Sequence, residues 1–412
     1  MRRFLFALGL TAATWLAPSA GAQVFTSDVR ESPVAPPDLA RRGAGGAVAA
    51  LPTLDSPFAG NPAHITTRGF TLNLLGATLG VGGNARESYR FYDDRLGPAI
   101  EQGLDTLPLD TLAALYDDAL RIGSTPKTTD LAVLAPSVRL AFGPVGVGVG
   151  AYARATSRAR LLDGGAGIPV VDLYGQGDVA VPLVVGLDVG EATGGTLPFG
   201  LSVGARATYL QRRVTAKTDP VDALDPDGEN LYVFVGETVR LAAGLFARDV
   251  GMPGVDLGAE LSNVGGAMDY TFDRSVAIEG DAPDDAAEIA GLQARFDGRE
   301  PDPVVRLGAA YRLPINLLPG IADAAVAVDY TSATTADADQ SFQAGLRGGV
   351  RARLAGVLDL RAGISQGMPS AGIGLRSKVA RLEYATYGVE DGRLLGQSRR
   401  RSHVVQLRVG WF

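Results

Sequence analysis

The chain has 412 residues, among them 54 glycines and two histidines, with no cysteine and a formal net charge of −7. Without cysteine there is no disulfide framework, thiol nucleophile, zinc–thiolate site or lipidated anchor. The acidic balance argues against nucleic acid as a partner, and two histidines leave most catalytic constellations without a base, so no enzymatic chemistry is expected.

Arg2 and Arg3 precede an uncharged apolar run from Phe4 to Ala17, and Ala20-Gly21-Ala22 follows with small residues. This is the pattern of a signal peptide over 1–22, with cleavage expected before Gln23. No later stretch reaches the roughly 18 apolar residues of a transmembrane helix. Residues 23–66 form a Pro/Gly/Ala-rich segment without clear periodicity. It contains Arg41-Arg42-Gly43-Ala44-Gly45-Gly46-Ala47-Val48-Ala49-Ala50, then Asp55, then Asn61-Pro62-Ala63. Asn61 can bond backbone within a turn while Pro62 fixes φ, so Asn61, Pro62 and Ala63 are expected to form a rigid corner with a structural role.

From Gly69 the pattern changes to period two, the signature of strands with two unlike faces. Expected strands fall near 69–82, 130–142, 145–160, 178–190, 198–214, 229–248, 254–263, 303–313, 321–332, 341–354, 357–366, 370–377, 379–388 and 400–412. The separation is cleanest over Phe342–Leu354, where Phe342, Leu346, Val350 and Leu354 alternate with Arg347, Arg351 and Arg353. Val305, Leu307, Ala309 and Tyr311 likewise oppose Arg306 and Arg312. The apolar faces carry no charge, as a lipid-facing surface requires. Connections from even to odd strands are all short, and every long one runs from odd to even. Bacterial barrels sort their periplasmic turns and outer loops in this way. The expected fold is therefore a transmembrane antiparallel β-barrel of about 14 strands over 67–412.

Asp110–Ile122 and Ala286–Phe296 have helical spacing and are expected as short helices in outer loops, placed to cap the barrel mouth. Phe142, Tyr209, Tyr311, Tyr330, Phe342 and Trp411 fall near strand ends, where interfacial belts lie. A β-sandwich would use the same aromatics as core. Export and long strands favour the barrel in outer-membrane lipid.

The small-residue segment, the acidic Asp55 and Asn61-Pro62-Ala63 before the first strand resemble the amino-terminal region of the FadL-like superfamily of outer-membrane barrels. Its branches include fatty-acid and hydrocarbon transporters, PorV-like secretion accessories and the TraF-like family. The resemblance implies that 23–66 is a periplasmic hatch inside the barrel, and that a small hydrophobic or amphipathic molecule is the substrate. The other branches imply a non-transporting barrel serving secretion, conjugation or envelope assembly. His64-Ile65 and the single Asp55 depart from the family pattern. Trp411-Phe412 resembles the terminal signal read by the barrel-insertion machinery, although Val405, Leu407 and Val409 alternate in phase with Trp411 and not with the last residue.

The remaining chemistry is sparse. Ser402 and His403 are adjacent in a strand, so their side chains point to opposite faces. The carboxylates of Asp219–Glu229 lack EF-hand spacing and read as a solvated loop, so neither metal nor cofactor is expected. The inward row sets Arg306, Arg347, Arg351, Arg353 and Arg361 against Asp329 and Asp359. It reads either as an ion-pair lattice filling the lumen or as an attractant for an anionic group such as a carboxylate.

Overall fold

The computed structural model describes residues 38–47, 49–53, 56–67, 69–103, 106–163, 169–220, 230–277, 285–297, 303–314, 321–332, 342–390 and 399–412. The signal peptide expected at 1–22 and residues 23–37 of the following segment lie outside the described residues, as do Asp55 and most of the acidic loop 219–229.

Fourteen antiparallel strands form one closed ring. They are β1 (Phe70–Gly82), β2 (Lys127–Leu134 and Ser137–Phe142), β3 (Val145–Val149 and Tyr152–Asp163), β4 (Pro169–Asp188), β5 (Gly200–Pro220), β6 (Asn230–Arg248) and β7 (Val255–Val264 and Tyr270–Ala277). The ring continues with β8 (Val304–Arg312), β9 (Ile321–Thr331), β10 (Leu346–Leu354), β11 (Leu358–Ser365), β12 (Met368–Arg376), β13 (Ala380–Glu390) and β14 (Arg399–Trp411). Three strands are each interrupted once, so 17 ladder segments make the 14. Each strand pairs with its neighbours in sequence. β1 closes the ring on β14 from Leu72 opposite Trp411 to Gly82 opposite Ser402.

The two-residue alternation decides which side is which. Leu307, Val326, Val328, Val350, Leu407 and Val409 are exposed on the outer surface, while Arg306, Asp329, Arg361 and Arg408 are buried on the inner one. Backbone ladders run from strand to strand right round the ring, which is what allows strands to cross lipid. The described helices are too short and polar to do so. Phe70, Phe142, Tyr311 and Trp411 are exposed toward the short-turn end, and Tyr209 and Phe342 toward the other. Two girdles of this kind mark an outer-membrane barrel, with the short turns on the periplasmic side. One hairpin, Gln366-Gly367, has positive φ at both residues (53° and 72°), the geometry of a type I′ turn.

Several elements differ from the sequence reading. β4, β5 and β6 have 20, 21 and 19 residues. About ten suffice to cross the bilayer, so these strands project well beyond the membrane on the outer side. Tyr270–Ala277 is a second half of β7 that pairs with β6, where a loop was expected. The strand expected to begin at 341 begins at Leu346, because Phe342–Gly345 is a helical turn whose Phe342 stacks on Tyr330 (5.2 Å between ring centres). The Leu109–Gly123 helix does not cap the mouth. Gly123 packs on Leu161 of the outer face of β3, and the Lys127 ammonium donates to the Ile122 carbonyl (2.5 Å), which holds the helix on the outside of the wall.

Candidate functional site in the barrel lumen

The described residues between 38 and 67 pack against the inner face of the wall. A short helix, Leu39–Gly43, packs against β12 and β13, and a 3-10 helix, Pro62–Thr67, packs against β4, β5 and β6 on the other side. The wall makes room with glycines on its inner face. A Cβ at Gly204 would stand 2.5 Å from the Ala63 nitrogen, one at Gly146 3.0 Å from Ile65, and one at Gly363 2.5 Å from the Gly45 nitrogen. Glycine is therefore required where two backbones approach this closely.

Hydrogen bonds fix the segment. Asn61 Nδ2 donates to the Leu245 carbonyl of the wall (2.7 Å) and to the Ala49 carbonyl (3.0 Å), while its Oδ1 accepts from the Ala63 nitrogen (3.0 Å). Pro62 and Ala63 are both buried in the 3-10 helix that this corner begins. Arg206 Nη1 donates to the carbonyls of Gly60 (2.7 Å) and Pro57 (3.2 Å). Arg139 donates to the carbonyls of His64 (2.5 Å) and Ile65 (3.0 Å), meeting the end of the 3-10 helix with a positive charge. His64 is fully buried and edge-on to Phe246 at 4.6 Å. Burial, with the nearby Arg139 charge, pushes its pKa down to about 3, so the ring is neutral. Arg139 does not stand out from the sequence. It lies beyond an interruption in β2 that moves the inner phase from even-numbered to odd-numbered residues.

That interruption belongs to a seam. Leu74 is a bulge in β1, so Leu74 and Leu75 both face outward. Ala135-Pro136 breaks β2 beside it, and Gly150-Ala151 breaks β3 beyond that. Backbone pairing is kept across the break by Ala135 N donating to Ala151 O (3.0 Å) and Gly150 N to Pro182 O (3.2 Å). Just inside lies a cavity of about 20 Å³, lined by Phe58, Asn73, Val138 and Arg408 among others, room for one water. Two consecutive leucines and a proline within a strand pattern are the sequence signals of this seam.

The charged residues singled out from the sequence lie on the inner face, and Arg306, Arg351, Arg353, Arg361 and Asp359 enter ion pairs. Arg306 pairs with Glu260. Arg351 meets Asp323 at 2.8 Å, and Arg353 meets Asp359 at 2.9 Å. Arg361 lies between Asp359 (3.5 Å) and Glu383 (2.7 Å). Asp329, cross-strand from Arg347, accepts from the Ala49 nitrogen at 2.7 Å, and Arg347 donates to the Ser365 hydroxyl at 3.0 Å. Arg351 also donates to the Pro52 carbonyl at 3.3 Å. The geometry is that of a lattice holding wall and segment together.

Toward the outer mouth the inner face changes character. Above Arg206 and Thr208, β5 turns Leu210, Arg212, Val214 and Ala216 inward. Leu210, Val214 and Ala216 join Tyr152, Tyr174, Tyr232, Phe234, Met268 and Tyr270 in a buried apolar cluster. The Ala286–Phe296 helix closes it from above. Phe296 lies 5.4 Å from the Phe234 ring and 5.8 Å from the Tyr270 ring. The helix is tied down at its start by Asp285 N donating to the Tyr232 hydroxyl (2.9 Å) and by a Lys217–Glu288 ion pair (3.3 Å). Asp285 caps it by accepting from the Ala287 nitrogen at 2.8 Å. Among the described residues no cluster of potential metal ligands is present.

No protein-family model and no curated protein matches this chain. Three similar solved structures give the range. The toluene transporter TodX of Pseudomonas putida shares 11% identity, covering 90% of this chain and 96% of that one at a TM-score of 0.48. The toluene transporter TbuX of Ralstonia pickettii shares 10%, covering 91% and 98% at 0.31. The translocator domain of the autotransporter NalP from Neisseria meningitidis shares 8%, covering 84% and 88% at 0.35.

Proposed function

We propose that this outer-membrane barrel passes small hydrophobic or amphipathic molecules, with the segment 38–67 serving as a hatch. One observation carries the reading. The upper lumen, where a water-filled pore would be polar, holds inward-facing aromatic and aliphatic side chains beneath a single helix docked by Phe296. Clefts that bind apolar molecules are lined in this way. Movement of Phe296 would open the cluster to the outside. Asn61, Pro62 and Ala63 would then act as the corner about which the hatch is held, and the ion-pair lattice as its seat. Residues 1–22 fit export and 67–412 the barrel itself. Trp411-Phe412 suits reading by the insertion machinery.

The test is uptake by a Gram-negative host whose lipopolysaccharide leaflet is intact, using N-phenylnaphthylamine, which fluoresces in apolar surroundings. The wild-type barrel should speed entry over a host without it, and Phe296→Ala should change that rate. Equal rates with and without the barrel overturn the reading. The filled lower lumen would then favour the accessory role in secretion, conjugation or envelope assembly.

A further inference from the structure

Tyr152 occupies a particular level in the lumen. It is cross-strand from Leu134 on β2 and Ala180 on β4, and Ala180 is cross-strand from Leu210 on β5. That apolar row is the floor of the aromatic cluster. The row beneath belongs to Thr208 and Arg206, the latter committed to the carbonyls of Gly60 and Pro57. Tyr152 therefore stands where a molecule leaving the cluster would first meet the amino-terminal segment.

Its side chain is 4% exposed, yet its hydroxyl has no hydrogen-bond partner among the described residues. Buried hydroxyls are almost always paired, because an unpaired one forfeits its bonds to water. Two of the cluster's other phenols show the usual state. The Tyr174 hydroxyl donates to Gln176 Oε1 at 3.0 Å, and that of Tyr232 accepts from Asp285.

The charges around this level are already matched. Arg212 is held by both oxygens of Asp178 (2.7 and 2.9 Å), and Arg154 by both oxygens of Asp130 (2.9 and 2.7 Å). An incoming carboxylate would have to break such a pair, whereas a neutral hydroxyl or carbonyl need only reach the phenol.

We propose that the Tyr152 hydroxyl is the polar subsite of the passage route, and that the molecule it takes is neutral and apolar with one hydrogen-bonding oxygen or nitrogen. This rests on the passage reading above and narrows it to a chemical class.

The full barrel in lipid nanodiscs is titrated calorimetrically with 4-propylphenol, propylbenzene and 4-propylbenzoate, with empty nanodiscs subtracted. Tyr152→Phe keeps the ring and removes only the hydroxyl, and heat-modifiable migration on SDS gels reports its fold. One neutral hydrogen bond corresponds to a roughly three- to tenfold change in affinity. The variant should lose that factor for 4-propylphenol and none for propylbenzene, and 4-propylbenzoate should bind no better than propylbenzene. Equal affinity of wild type and variant for 4-propylphenol overturns the role of Tyr152. Preference for 4-propylbenzoate overturns the neutral class. Failure of wild type to bind either uncharged probe overturns the passage reading itself.

Discussion

The amide of Asn61 occupies the space that a side chain at position 244 would need. A Cβ on Gly244 would collide with Asn61 Oδ1 and would lie 2.8 Å from Pro62 Cδ. Gly244→Val should therefore push the corner off the wall at about 1–3 kcal/mol, and Asn61→Ala should weaken it by stranding the carbonyls that Nδ2 now serves. In both variants, limited proteolysis should cut within 38–67 faster than in wild type while the barrel stays heat-modifiable on gels. Unchanged protection would show that this contact does not seat the segment.

Leu307 stands near the middle of β8 on the lipid side and is 52% exposed. Leu307→Arg should destabilise the barrel by about 2–4 kcal/mol, the cost of a guanidinium near the bilayer midplane. Urea unfolding from lipid vesicles reads this directly.

Arg361 is shared between Asp359 and Glu383. Arg361→Met leaves two buried carboxylates facing each other across the gap and should cost about 3–5 kcal/mol. Arg361→Met combined with Glu383→Leu should recover much of that loss, since the orphaned charge is removed with its partner. A double variant as unstable as the single one would mean that Arg361 matters through packing.

His64 gives the amino-terminal segment a pH dependence of known sign. Its pKa in the fold, about 3, lies below the ordinary value near 6.5, because burial beside Arg139 disfavours the charged ring. Its contribution is fully present above about pH 6.5 and is lost as pH falls toward 3. Protease protection of 38–67 should therefore decline between pH 6.5 and 4.5. His64→Gln should remove that decline while leaving the fall at lower pH, where carboxylates titrate. An identical profile in the variant would assign the whole effect to the carboxylates.

How much of this was legible follows from what each signal depends on. The ring reads from the sequence because lipid on one side and a charged lumen on the other force strict alternation, as over Leu346–Leu354. The sorting of turn lengths then adds direction. The helices at 109–123 and 286–296 read from spacing, but not the surfaces they cover, since an amphipathic stripe says that something is covered and not what. Phe296 packs into the lumen, whereas Gly123 lies on the outer wall against Leu161. Arg139 escapes notice because the break at Ala135-Pro136 shifts the inner phase by one, and a strict two-residue count carries it to the wrong side. Tyr152 carries no sequence signal at all. Its importance lies in a missing partner, which shows only in the folded barrel.

The pairing of Leu72 with Trp411 makes the last residues of the chain the staple of the first strand. No enclosure exists until β14 arrives, while residues 38–67 lead directly into β1. If that segment serves as the proposed hatch, it is a ship in a bottle, caught as the glass closes round it. Loss of β14 would leave two raw sheet margins and an unroofed interior together, so wall and contents fail in one step.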